Sequence, residues 1–286
     1  MPDKLIILPE EDGKKLGEVL RTRGFSRKLL CRLKHTESGM TRGGALIRTV
    51  DRVSCGDEIS LASPGTSELE PSPELHAPVL YEDSEVIVFD KPAGMPVHPS
   101  IGHHDDTLGN LFAAKYPGAV FRPVSRLDSQ TSGCVTVAKS QFAASRLQGK
   151  FSKRYLALCC GEPPAEGTID APIAREADSI IKRCVSPEGK PAQTRYRVLA
   201  SDGRYSLCEV TPLTGRTHQI RVHFAHMGFP LAGDSLYGGS CGDIQRQALH
   251  CSEVSFLSPE NGEKIRAVSP LPEDMARLTD YKEESE

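Results

Sequence analysis

Arg126-Leu127-Asp128-Ser129-Gln130-Thr131-Ser132-Gly133 sets one acid between a cation and a polar turn. Taken alone, an Asp ahead of Ser and Thr reads as a turn or helix cap, because its carboxylate accepts backbone N–H bonds. A second stretch changes that reading. Thr214-Gly215-Arg216-Thr217-His218-Gln219-Ile220-Arg221-Val222-His223 presents two arginines on a turn that runs into a helix. An acid, an arginine and a phenol such as Tyr155 can form a reaction site that asks for no metal and no cofactor. On a regular helix Arg216 and Arg221, five residues apart, project in different directions, so only one of them faces a given carboxylate.

Around these stretches, apolar and β-branched runs predict strands over 85–89, 134–138, 155–160, 194–200 and 205–211. Helices are predicted over 108–115, 141–148 and 217–227. Strands and helices without regular βαβ alternation argue an α+β fold with a mixed, largely antiparallel sheet. Residues 1–62 read differently. Leu16, Val19, Leu20, Leu29, Leu30 and Leu33 fall at three- and four-residue spacings, interrupted by Gly24-Phe25-Ser26. Two short helices are expected there, with Ser26 as N-cap, followed by strands at 45–48 and 58–61. Ser63-Pro64-Gly65-Thr66-Ser67 through Pro71-Ser72-Pro73 reads as an extended, solvated linker over 63–77, because Pro and Ser favour such backbone. The remainder, 78–286, is one larger domain whose acidic end, from about 273, is expected to fray.

With 286 residues and 38% hydrophobic content the chain can bury a full core. Leu5-Ile6-Ile7-Leu8 is too short for a membrane span or a signal-peptide core and runs into Glu10, Glu11 and Asp12. Nine cysteines without a C-x-x-C pair fit reduced thiols in a cytoplasmic protein. The formal net charge of −3 is unlike a dedicated nucleic-acid binder, but it averages over the chain. Between Arg21 and Lys34 the cations Arg21, Arg23, Arg27, Lys28 and Arg32 meet no acid. That run is either a phosphate-binding face or a solvated helix surface.

FDKPAGMPVHPS at 89–100, PVSRLDSQTSG at 123–133, KRYLALCCG at 153–161, TGRTHQIRVHFAHMGFPLAGDSLYG at 214–238 and LHCSEVSF at 249–256 occur in one order. Together they resemble the RluA-type pseudouridine synthases over roughly residues 78–270. Helix, helix and a small sheet ending in GDEISL look like the αL RNA-binding module that precedes such enzymes, with Arg42-Gly43-Gly44 where that module has Asn-Gly. The resemblance implies isomerisation of specific uridines in structured RNA, ribosomal rather than transfer RNA, by a monomeric enzyme without a cofactor or metal. It assigns Asp128, Tyr155 and Arg221 to catalysis and makes Arg221 the partner of Asp128. Arg126 flips the base or holds a phosphate, and Arg216 is the second choice for the acid's partner or serves RNA. Lys91, Pro92 and His98 are read as loop architecture. Ser125 stands where the family has His, and the alternative reading is an RNA-binding or ribosome-assembly protein that keeps the fold without turnover.

The chemistry agrees with one acid. Moving the glycosidic bond from a ring nitrogen to a ring carbon is redox-neutral. It needs a carboxylate that assists cleavage, as nucleophile or as electrostatic partner of the sugar. A glycosidase wants two placed carboxylates. His218, His223 and His226, or His103-His104-Asp105-Asp106, lack the spacing of a metal site.

Overall fold

The apolar spacing near the N-terminus folds as expected into two helices that share one core. In this computed structural model, which describes residues 3–25, 27–62, 69–240 and 242–281, the first unit runs β1 (Asp3–Ile6), α1 (Leu16–Thr22), α2 (Arg27–His35), β2 (Met40–Arg42), β3 (Ala45–Leu46) and β4 (Glu58–Leu61). All six of the spaced apolar side chains are buried, against Ile59 and Leu61 of β4. The sheet order is β1-β4-β2-β3, so β1 and β2, which the sequence did not signal, flank β4, while the expected strand at 45–48 shortens to β3 at the edge. Gly24, with φ +91, turns the chain between the helices; the Ser26 cap lies outside the described residues.

The larger unit continues with β5 (Val79–Glu82), β6 (Val86–Lys91), α3 (Leu108–Lys115), β7 (Arg122–Pro123), β8 (Ser132–Ala138), α4 (Gln141–Leu147), β9 (Phe151–Cys160), β10 (Glu166–Asp170), β11 (Ile173–Arg175), β12 (Arg183–Val185), β13 (Gln193–Ser201), β14 (Tyr205–Pro212), α5 (Gln219–His226), β15 (Leu249–Leu257), β16 (Lys264–Val268) and α6 (Glu273–Ala276). The main sheet is ordered β10-β13-β14-β9-β15-β8-β6-β5, with β16 on β15 and β7 on β8. Every pairing in it is antiparallel except β15 with β8. The α+β class and largely antiparallel sheet are thus as expected. Thr107 and Ser140 cap α3 and α4 by accepting the N–H groups of Asn110 and Ala143. The two units touch where Phe25 stacks on Phe142 of α4, ring centroids 5.1 Å apart, and Arg146 donates to the Arg23 carbonyl. Among the described residues no helix is long and apolar enough to cross a membrane.

Three expectations are corrected. The described part of the expected linker, 69–77, is largely exposed but is fastened to the larger unit and not free of it. Ser72 is buried and donates to the Asp105 carbonyl, and Asn110 of α3 donates to that of Glu70. The acidic end does not fray at 273 either. It turns into α6, with Met275 fully buried and Asp274 paired with Arg246 at 2.6 Å; one apolar anchor and one buried cation outweigh the charge repulsion that composition emphasises. The third helix starts at Gln219, not 217, because His218 takes a left-handed backbone.

Asp128 sits in the turn of the β7–β8 hairpin, where its carbonyl accepts the Thr131 N–H at 3.0 Å. The exit from that turn depends on Gly133. Its φ is +105, and a Cβ there would lie 2.3 Å from the Cys251 carbonyl oxygen of the parallel neighbour β15. Gly133→Ala combines a backbone conformation that L residues avoid with a clash against main chain. We expect it to lower unfolding free energy by about 3 kcal/mol or more, read as the midpoint of urea denaturation; a loss below about 1 kcal/mol would mean the two strands can separate cheaply.

Candidate active site

Three distant segments meet at Asp128. Arg221, in the first turn of α5, donates from Nη1 to Asp128 Oδ2 at 3.1 Å. Its other face is held by Asp234, through Nε to Oδ2 at 2.7 Å and Nη2 to Oδ1 at 2.8 Å. The guanidinium side chain is 7% exposed, that of Asp234 1%, and that of Asp128 29%, so only the first acid opens to solvent. Burial opposes the charge on Arg221, but the Asp234 hydrogen bonds and both carboxylate charges outweigh it and raise its pKa above the ordinary value. The Tyr237 ring lies under the same guanidinium, 5.0 Å from its centre.

The helix is pinned from behind. His223 is buried with Nδ1 2.8 Å from Thr194 Oγ1 and Nε2 2.9 Å from the Ala171 carbonyl, and Phe224 packs edge-on against Tyr196. These contacts hold α5 on β13. His223 is therefore a structural histidine.

The Asp128 turn is braced from the other side by Lys91, the last residue of β6. Its ammonium is fully buried and reaches the carbonyls of Pro92, Met95 and Ser129 at 2.8, 2.7 and 2.9 Å. Burial pushes this amine down to about 7, helped by the Arg246 charge and opposed by Asp128 and Asp90. Arg246, held by Asp274, donates to the Gln130 and Leu249 carbonyls. A buried amine and a buried guanidinium thus carry the loop on main-chain contacts.

Tyr155 projects from β9 into the site while its neighbour Arg154 points to the opposite face, where it pairs with Glu209 and Glu253. The phenol is buried and accepts a hydrogen bond from Lys153 Nζ at 3.3 Å. Burial, and then the neighbouring Cys251 and Asp128, push it well above the usual phenol range. It is neutral at physiological pH.

Asp128, Tyr155 and Arg221 line one cleft of about 1070 Å³, which also includes His98, Arg126 and Arg216. That is ample for a nucleotide. Arg126 stands exposed on its rim. Arg216 does not lie on a helix with Arg221. It sits in the preceding turn and donates from Nε to the Pro191 carbonyl at 3.0 Å, so it lines the wall and leaves Asp128 to Arg221. The buried Ser125 hydroxyl, also in the lining, has no hydrogen-bond partner among the described residues.

The N-terminal cations divide. Arg21, Arg27 and Arg32 are exposed on α1 and α2. Arg23 differs from them: it is half-buried, pairs with Glu11 and donates to the Ile6 carbonyl. The side chain of Lys28 lies outside the described residues. Sequence reasoning missed Asp234, Tyr237, His218 and Arg246 as members of the site. The first three stand in the TGRTHQIRVHFAHMGFPLAGDSLYG run and were visible there as motif; Arg246 carried no local signal.

Residues 85–226, which include Asp128, Tyr155 and Arg221, match the family model described as RNA pseudouridylate synthase. An RNA pseudouridine synthase of Bacillus subtilis, YjbO, is 37% identical over 267 residues, covering 89% of this chain and 94% of its own length. The ribosomal large subunit pseudouridine synthase D of Xanthomonas campestris is 41% identical over 223 residues, 70% of this chain and 67% of that one. The solved structure of human RNA pseudouridylate synthase domain containing 1 superposes with a TM-score of 0.59 at 27% identity, over 71% of this chain and 86% of that one. An acid held by an arginine in a nucleotide-sized cleft, on a chain with relatives of this kind along most of its length, makes this protein a member of the RNA pseudouridylate synthase family, an isomerase that acts on RNA.

Proposed function

We propose that this enzyme isomerises specific uridines of structured ribosomal RNA, with Asp128 as the carboxylate that assists glycosidic cleavage. The observation that carries the proposal is the 3.1 Å contact between Arg221 and Asp128 on the cleft floor. A carboxylate beside developing positive charge on the sugar must remain charged where water is excluded, and the guanidinium, itself locked by Asp234, supports that state. The buried, neutral Tyr155 offers a stacking surface for the detached uracil. Arg126 on the rim takes the place of the extruded base or holds an adjacent phosphate. Arg216 supplies further positive charge along the wall. The ribosomal reading draws on the name of the Xanthomonas relative; work in the cytoplasm, as a monomer, belongs to the same proposal.

The direct test uses RNA carrying tritium at uracil C5, the atom that gives up its hydrogen when the new bond forms. The enzyme is expected to release the label from ribosomal RNA. No release from any cellular RNA would return the chain to the alternative of an RNA-binding protein without turnover.

Residues 3–62 join the proposal as an RNA-holding module. Neutralising Arg21, Arg27 and Arg32 to Gln is expected to lower the slope of log affinity against log salt by about 2 to 3, near one per phosphate contact. Arg23→Gln, by contrast, acts on stability through Glu11. An unchanged slope in the triple variant assigns the exposed arginines to a plain solvated surface.

A further inference from the structure

His218 has no part in the mechanism above, yet the fold strains to hold it. It is one of two non-glycine residues with positive φ among the described residues, at +57, a conformation that side-chain-bearing residues enter at a cost and that recurs at functional sites. Its side chain is 11% exposed. Nδ1 lies 2.9 Å from the Tyr237 hydroxyl, and Nε2 lies 3.7 Å from Asp128 Oδ2.

The hydrogen bonds select a tautomer. The Tyr237 oxygen accepts the Arg183 backbone N–H at 3.0 Å. Its own proton has no acceptor among the described residues other than His218 Nδ1, which directs it there. Burial, with the charges of Arg221 and Arg183, holds the imidazole below its ordinary value against the pull of Asp128 and Asp234, so the ring is neutral. With Nδ1 accepting, the ring proton sits on Nε2, the nitrogen that faces Asp128. Arg221 and His218 therefore converge on one carboxylate oxygen, Oδ2, while no hydrogen bond reaches Oδ1 among the described residues.

We infer that His218, set in its Nε2–H tautomer by Tyr237, is a positioning residue that with Arg221 clamps Asp128 by Oδ2 and leaves Oδ1 to face the nucleotide. The inference rests on the assignment of Asp128 to catalysis. The 3.7 Å separation shortens to hydrogen-bond length when RNA fills the cleft, as catalytic contacts do on substrate binding.

Two substitutions discriminate this from a purely structural role, because they rank in opposite orders. The amide of Gln reaches the position of Nε2, whereas that of Asn stops at Nδ1. Asn, however, tolerates a left-handed backbone far better than Gln. In single-turnover tritium release at saturating enzyme, His218→Gln is expected to remain within about tenfold of the native rate and His218→Asn to fall about 100-fold, with RNA affinity unchanged in both. An Asn variant as fast as the Gln variant or faster overturns the inference.

Tyr237→Phe, which removes the donor to Nδ1, is expected to lose about tenfold alone and nothing further in the His218→Gln background; full multiplicative loss there overturns the tautomer argument. Asp128→Ala separates the layers. If that variant still releases label, the assignment of Asp128 fails and His218 loses its role with it. If it is silent while Asn outperforms Gln, only the role of His218 fails.

Discussion

Asp128→Asn is expected to suppress tritium release by at least about 10⁴-fold, the scale seen when a reacting group is removed from an otherwise intact site. The substitution keeps the volume of the side chain, and the turn survives because it is made by main chain, with the Thr131 N–H on the Asp128 carbonyl and Lys91 on that of Ser129. What disappears is the negative charge opposite Arg221 and the oxygen that meets the sugar. RNA affinity should change little, since Arg126 and Arg216 lie on the rim and wall, independent of that charge. Both quantities come from one set of measurements, single-turnover release and filter binding. Label release within tenfold of the native enzyme would remove Asp128 from the reaction whatever its position.

Asp234→Ala carries the second large effect, and it acts on stability and rate together. Arg221 has two buried hydrogen bonds to Asp234 and one to Asp128. Deleting the acid with 1% exposure strands a guanidinium that is itself almost fully buried. Removing one partner of a buried pair costs about 3–5 kcal/mol, and the loss here falls at the lower end, because Asp128 remains as counter-ion while Nε and Nη2 are left buried without acceptors. The same change frees Arg221 to rotate, and loss of a group that orients the partner of a catalytic residue lowers rates by about 10–100-fold. Urea midpoints and single-turnover release report the two losses separately. Native stability would mean that water enters behind α5; a native rate would mean that Asp128 alone orients the guanidinium.

Neither Asp234 nor its role could be read from spacing. Asp234 is 13 positions beyond Arg221, past the end of α5, and meets it only because the chain doubles back between the helix and β15. Arg216 shows the converse. Its five-residue step from Arg221 already gave the two side chains different directions on a regular helix, and the left-handed His218 parts them further by starting the helix at Gln219 and leaving Arg216 in the turn. The acidic end misled instead. Its composition speaks for solvent, but Met275 and the Arg246–Asp274 pair anchor it. Burial of one residue among many charges is invisible to an average.

Patterns confined to a few neighbouring residues were legible in the chain as written: the two N-terminal helices, the apolar strands, the polar turn around Asp128 and the spans of α3 and α4. Each is dictated by side-chain period or by a local hydrogen bond, and neither needs a distant partner. The double hold of Asp234 on the acid's partner, the buried lysine under its loop and the histidine beside it were brought together by folding, across as many as 93 residues where Arg221 meets Asp128. Charge in a cavity is governed by whichever groups the sheet brings within a few ångströms, and chain order does not encode that distance.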